Sequence, residues 1–334
     1  MSQPKSSYKK KIQSLMRFLR AHAYWYHMIV YGVLSTLIIS GVAFLSLYRV
    51  HLWNTYQVEP ALPMQLFDDE QLFRGTDFGA RGILIYDAAR DKEIFTYQED
   101  TLFGIASISK IMTALVALEN HPDDFPVPIT AESLQEIGDH GLVEGTIWRL
   151  RDIIEFMLIT SSNDAAAAIA EAFMSHEDSA KGRAYFVERM NTYAQNQGWE
   201  SLVFTNPTGL DEFGVRSTMG TARDVFAMMR FAYERYPDIM RATTLPRTIM
   251  TPLSGDSVRA ENTNQIINRI PAYVFSKTGF TQDAGGSLVF IFERAPQAPV
   301  YVVILGSTFT GRFTDAEYIA YTLFEYIYNF ENIS

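Results

Sequence analysis

The chain has 334 residues, 48 % hydrophobic and 20 % charged, which excludes a disordered, collagen-like or mucin-like polymer. It has no cysteine, so disulfides, Cys-ligated zinc, iron–sulfur clusters and thiol nucleophiles are excluded. A net charge of −10 argues against a general nucleic-acid binder, whose affinity comes largely from neutralising phosphates.

Taken from the N-terminus, residues 1–27 form a basic head with Lys5, Lys9, Lys10, Lys11, Arg17 and Arg20 and no acid. An uncharged apolar run follows, Met28 to Tyr48. As a helix it would be about 31 Å long, the thickness of a bilayer's hydrocarbon layer. Tyr24, Trp25 and Tyr26 flank one end, and Tyr48 and Trp53 the other, as interfacial aromatic belts do. We therefore expect residues 28–48 to be a transmembrane signal anchor. The bases before it place the N-terminus in the cytoplasm and the remainder outside the cell membrane. A cleaved signal peptide is the rival reading, but no Ala-x-Ala pattern closes the run.

Residues 49–79, with Pro60, Pro63 and the acidic Asp68-Asp69-Glu70, read as a stalk. The domain expected over 80–331 opens with a hairpin at 81–98, two apolar runs around a polar turn. Apolar residues at helical spacing predict helices at 107–120, 149–159, 163–175, 181–197 and 221–235. Residues 122–130 are proline-rich and read as a loop, and 206–214 are dense in turn formers. Strands are predicted at 272–277, 286–293 and 300–307, and a helix at 313–329. A hairpin, a large helical insert, three strands and a closing helix predict an α+β fold, an antiparallel sheet flanked by helices.

Three short motifs stand at the edges of these elements. Ser107-Ile108-Ser109-Lys110 opens a helix, and spacing of three puts Ser107 and Lys110 on one face. A lysine whose pKa is lowered by burial can take a serine's proton, and the free N–H groups of a helix start can stabilise an oxyanion. The plain alternative is a capping serine beside a solvent-facing lysine. Ser161-Ser162-Asn163 reads either as an N-cap cluster or as a proton-relaying hydroxyl with a substrate-gripping amide. Lys277-Thr278-Gly279 ends a strand, where it is either a plain solvated end or a cation and hydroxyl for an anionic group. Arg312 begins a helix, where a cation opposes the dipole and makes sense if an anion binds there.

Together the three motifs make the combination used by class A β-lactamases and penicillin-binding proteins. With IASISKIMTA, MLITSSNDAAAAIAE, FTNPTGLDEFGVRSTMGTARD, FSKTGFTQDAG and TFTGR around them, residues 80–330 resemble the serine-type D-alanyl-D-alanine carboxypeptidases, the low-molecular-mass penicillin-binding proteins. The resemblance implies a β-lactamase/transpeptidase-like fold, an acyl-enzyme on Ser107 and Lys110 as its base. It further implies Ser161 in proton transfer, Asn163 on a substrate amide, and Lys277, Thr278 and Arg312 on the substrate's terminal carboxylate. The backbone N–H groups of Ser107 and Phe280 would form the oxyanion hole. The implied partners are peptidoglycan stem peptides ending in D-Ala-D-Ala, with β-lactams as covalent inhibitors and neither metal nor cofactor. A DD-endopeptidase or a β-lactamase would share the fold, and a non-enzymatic wall-binding protein is the remaining alternative. The sequence departs from the family in having Ser162 where glycine is most often found, and we expect it to lack the C-terminal β-rich domain and to be anchored at its N-terminus rather than its C-terminus.

Overall fold

The computed structural model describes residues 72–138, 141–173, 179–212 and 218–331. The basic head, the expected anchor at 28–48 and most of the stalk lie outside the described residues. Among those described, no helix is long and apolar enough to cross a membrane.

The centre is a five-stranded antiparallel sheet. Its strands are β1 (Gly82–Asp87), β2 (Lys92–Tyr97), β9 (Tyr273–Thr281), β10 (Gly285–Glu293) and β11 (Pro299–Ser307), in the order β2-β1-β11-β10-β9. Ile83 faces Ile304 and Ile85 faces Val302, so the first strand of the domain zips onto its last. β1, β10 and β11 are near-continuous apolar runs because both faces of the sheet are covered. The two-residue period divides them cleanly. Val300, Val302 and Ile304 join the core on one face, whereas Tyr301, Val303 and Leu305 join the core on the other.

The closing helix α7 (Gly311–Glu331) covers the first face with Phe313, Ala316, Ile319, Ala320 and Leu323, one helical stripe. The other face carries the helical insert. Its members are α1 (Lys110–Asn120), α2 (Leu150–Thr160), α3 (Asn163–Ala172), α4 (Ser179–Asn196), α5 (Ala222–Arg235) and α6 (Pro237–Arg241). α1 is buried all round from Lys110 to Leu118, which a helix without a polar face requires. The antiparallel sheet with a large helical insert is the expected architecture.

The structure also corrects the sequence reading in places. Residues 107–120 do not begin as α-helix: Ala106–Ser109 form a 3-10 turn that leads into α1. The loop expected at 122–130 contains β4 (Pro126–Pro128), paired with β5 (Ile147–Arg149), where Val127 and Trp148 are fully buried. Two strands escaped prediction, β7 (Arg247–Met250) and β8 (Val258–Glu261), because four-residue strands with one buried side chain between them have almost no apolar period. The short pairing of β3 (Phe103–Gly104) with β6 (Met219–Gly220) was likewise invisible. Finally, residues 72–79 are not stalk. Phe73 is 1 % exposed and packs against Phe78, Phe95 of β2 and Tyr318 of α7.

The sheet's α7 face is the part whose packing is easiest to test. Phe290 is fully buried there, between the rings of Tyr273 and Phe292. Phe290→Ala is expected to lower unfolding stability by about 3–5 kcal/mol in chemical denaturation, the cost of a large core cavity. A loss of less than about 1 kcal/mol would show that this face is not a packed core.

Candidate functional site

The 3-10 turn carries Ser107 at the junction of α1 and the edge strand β9. Ala106 enters the turn with a positive φ of 47°, and Ile108 N–H closes it on Ile105 O at 3.1 Å. Ser107 is half-buried, whereas Lys110, one turn on, is wholly buried. Lys110 Nζ lies 2.9 Å from Ser107 Oγ, 2.7 Å from Asn163 Oδ1 and 2.5 Å from the carbonyl oxygen of Thr208. Burial lowers the Lys110 pKa from the usual lysine value to about 7, and the charge of Glu136 opposes it. Three acceptors satisfy the three N–H bonds of an ammonium. When the amine is neutral, the two carbonyl-type oxygens retain two N–H bonds and the lone pair is left facing Ser107.

Asn163 is held so that it can only accept from Lys110. Its Nδ2 donates to Ile137 O at 2.6 Å, which fixes the amide's orientation. The Ile137 carbonyl takes one of the two Nδ2–H bonds, and the second is left for the substrate-amide contact expected of Asn163. Ser161 ends α2 in the left-handed region, φ 60°, and this turns its hydroxyl into the site. Lys277 Nζ donates to Ser161 Oγ at 2.7 Å. Ser162, at the family's usual glycine position, is fully buried with its hydroxyl accepting from Ala165 N–H, so it caps α3.

β9 supplies the third side. Lys277 is 1 % exposed and also donates to Thr278 O. Burial, then the charges of Lys110 and Arg312, push its pKa well below the normal lysine value. Thr278 Oγ1 is 2.6 Å from Thr263 Oγ1. Gly279 sits against the turn: a Cβ there would lie 3.2 Å from Ser107 N and 2.9 Å from Ile105 O, so any side chain would drive β9 off the turn. Phe280 follows and is 44 % exposed. Arg312 is 3 % exposed, donates from Nη1 to Gly279 O, and burial lowers its pKa to about 10.

Ser107, Lys110 and Asn163 are therefore joined by hydrogen bonds, as are Ser161 and Lys277, and the two sets meet closely enough for the charge of Lys110 to act on Lys277, so one strand edge and the ends of three helices bring the five together. Sequence reasoning missed the loop that completes the lysine's cage. Asn206 Oδ1 accepts from Thr208 N, Thr208 Oγ1 and Gly209 N, while its Nδ2 donates to Leu210 O. This knot presents Thr208 O to Lys110, and Pro207 O accepts from Thr113 on α1. The Asn-Pro-Thr-Gly turn was the available signal. Thr263 and Ile137 had none, as one is a lone hydroxyl outside any motif and the other acts through its backbone.

The geometry can be set beside known proteins. The family described as D-alanyl-D-alanine carboxypeptidase matches residues 70–308. A D-alanyl-D-alanine endopeptidase of Pseudomonas aeruginosa is 31 % identical over 236 residues, covering 69 % of this chain and 72 % of that protein. One from Escherichia coli K12 is 30 % identical, covering 67 % and 71 %. Among solved structures, penicillin-binding protein D2 from Listeria monocytogenes in its ampicillin-bound form superposes with a TM-score of 0.63 at 26 % identity, covering 74 % of this chain and 98 % of that one. The same fold and the match over most of the domain lead to one conclusion: the chain belongs to the D-alanyl-D-alanine carboxypeptidase family, the low-molecular-mass penicillin-binding proteins.

Proposed function

We propose that this protein is a serine DD-carboxypeptidase that removes the terminal D-alanine of peptidoglycan stem peptides through an acyl-enzyme. The observation that carries the reading is the buried amine of Lys110, 2.9 Å from Ser107 Oγ, with its two other contacts on oxygens that can only accept. In the proposed reaction Ser107 Oγ attacks the carbonyl carbon of the penultimate D-alanine while its proton passes to Lys110 Nζ. The tetrahedral oxyanion lies between the N–H groups of Ser107 and Phe280. Collapse breaks the C–N bond, and the proton that Lys110 took from Ser107 passes to the leaving amine, directly or through the Ser161 hydroxyl, which returns Lys110 to the free amine. Water then adds to the ester, giving its proton to Lys110, and Ser107 Oγ leaves as the hydroxyl by taking that proton back.

Lys277 and Thr278 are assigned to the terminal carboxylate. Lys277 is buried and short of counter-charge, and a carboxylate arriving beside it would favour its protonated form, so binding and charge reinforce each other. Asn163 is assigned to hold Lys110 and to meet the substrate's backbone at the Ile137 edge. A β-lactam would acylate Ser107 in the same way and leave slowly. The basic head and the apolar run 28–48 support an anchored protein with this domain outside the cell membrane.

An endopeptidase activity is the second reading, favoured by the printed names of the Pseudomonas and Escherichia relatives. A cross-link in which the acceptor amine's carbon carries a carboxylate would present the same anion to Lys277, so the two activities need not exclude each other.

Two outcomes are expected. D-Alanine release from a stem pentapeptide, followed by chromatography, falls at least about a thousandfold in Ser107→Ala, and cleavage of a cross-linked muropeptide falls with it. Retained release in the variant would reject the nucleophile, while wild type that cleaves only the cross-link would select the endopeptidase. In the second, stopped-flow acylation by penicillin is measured against pH. Since the Lys110 pKa is lowered, the amine is a base above it and inert below it. The rate should therefore fall about tenfold per unit as pH drops below about 7, where the ammonium forms. A rate that is flat from pH 5 to pH 8 would remove Lys110 as the base.

A further inference from the structure

We infer that Arg312 is a positioning residue for the oxyanion hole, holding and polarising the Gly279–Phe280 peptide from behind, instead of gripping the substrate's carboxylate itself. This rests on the proposed acylation of Ser107. Arg312 is not presented to a ligand. It is 3 % exposed, and its guanidinium lies 4.7 Å from the ring centroids of both Phe309 and Phe313 and 6.0 Å from that of Phe280. Phe280 and Phe309 meet edge to face at 5.1 Å, and both are partly exposed, so these two rings are the surface and the cation lies beneath them.

Its Nη1 is committed to Gly279 O. A trans peptide is planar, with its C=O and N–H pointing in opposite directions. The donor on Gly279 O therefore acts on the same rigid unit whose other end is the Phe280 N–H. A cationic donor on the carbonyl draws electron density along the amide and makes that N–H a stronger donor, and it also fixes the plane of the unit. The neighbouring strand is built to allow this contact. Gly286 pairs with Phe280 in the β9–β10 ladder. A Cβ on Gly286 would lie 2.1 Å from Thr308 O and 3.3 Å from Arg312 Cδ, so the bare backbone there is what lets the arginine reach β9.

The two roles for Arg312 differ in what they need from the substrate. A clamp acts only on substrates with a carboxylate and is felt mainly in KM. A positioning role acts on every acyl donor and is felt in kcat. The test uses the full chain in detergent micelles with two thioesters that share one N-acyl-D-alanyl group. One leaves as thioglycolate, the other as its neutral methyl ester. For Arg312→Gln, kcat is expected to fall about tenfold or more with both, because part of one oxyanion donor's contribution is lost, while KM moves less than about threefold. Arg312→Lys, which retains a cationic donor, should recover part of the loss. In the penicilloyl-enzyme, the ester carbonyl stretch of Arg312→Gln should move to higher frequency in the infrared, reporting a weaker hydrogen bond to that oxygen.

A loss confined to the thioglycolate ester and expressed in KM would overturn the inference and restore the clamp. So would an unchanged carbonyl frequency in a variant that still acylates. Wild-type protein that fails to form a penicilloyl adduct on Ser107 would instead overturn the proposed function, which keeps the two failures distinct.

Discussion

A single amine in a dry place governs the site. Lys110 Nζ has no water-like surroundings and is held by one hydroxyl and two oxygens that cannot donate. Desolvation lowers its affinity for a proton, and the fixed acceptors decide where its lone pair points. Those acceptors come from far apart in sequence, Asn163 at the start of α3 and Thr208 in the 206–210 turn. The base is therefore usable only once the helical insert has folded around α1. The fold and the proposed chemistry are one arrangement: α1 can be apolar all round because its polar end is consumed by the site.

The electrostatics of the site follow from this. Lys110, Lys277 and Arg312 are all buried, and Lys110 and Arg312 both depress the Lys277 pKa. Like charges so placed cost stability until an anion arrives. That cost is spread over three devices. Lys110 sheds its proton near neutrality, Lys277 is bonded to Ser161 and to Thr278 O, and Arg312 is stacked among phenylalanine rings with a carbonyl to donate to.

Much of this was legible in the sequence, for identifiable reasons. The sheet strands β1, β10 and β11 are long apolar runs, and the helices of the insert have strong periods, so their existence and order could be read. The residues of the three motifs could be read because each sits at an element's edge with a distinctive spacing. What could not be read depends on the backbone. The carbonyls of Ile137 and Gly279 carry no side-chain signature, and that of Thr208 only its Asn-Pro-Thr-Gly turn, yet they orient Asn163, Arg312 and Lys110. The β7–β8 hairpin and the β3–β6 pair are too short to have a period. Phe73 looked like part of a linker because its partners Phe95 and Tyr318 are distant in sequence. The role expected of Arg312 was argued from its place at a helix start, where its burial beneath Phe280 and Phe309 could not be seen.

The central claim is the protonation state of one lysine, and it can be measured without any substrate. Lysines labelled with carbon-13 and nitrogen-15 at Cε and Nζ would be titrated by NMR in the intact protein, with Lys110 assigned by its loss in Lys110→Arg. The account predicts a Lys110 resonance that titrates near pH 7, well below the surface lysines. A Lys110 that stays an ammonium up to about pH 10, like an ordinary exposed lysine, would contradict it.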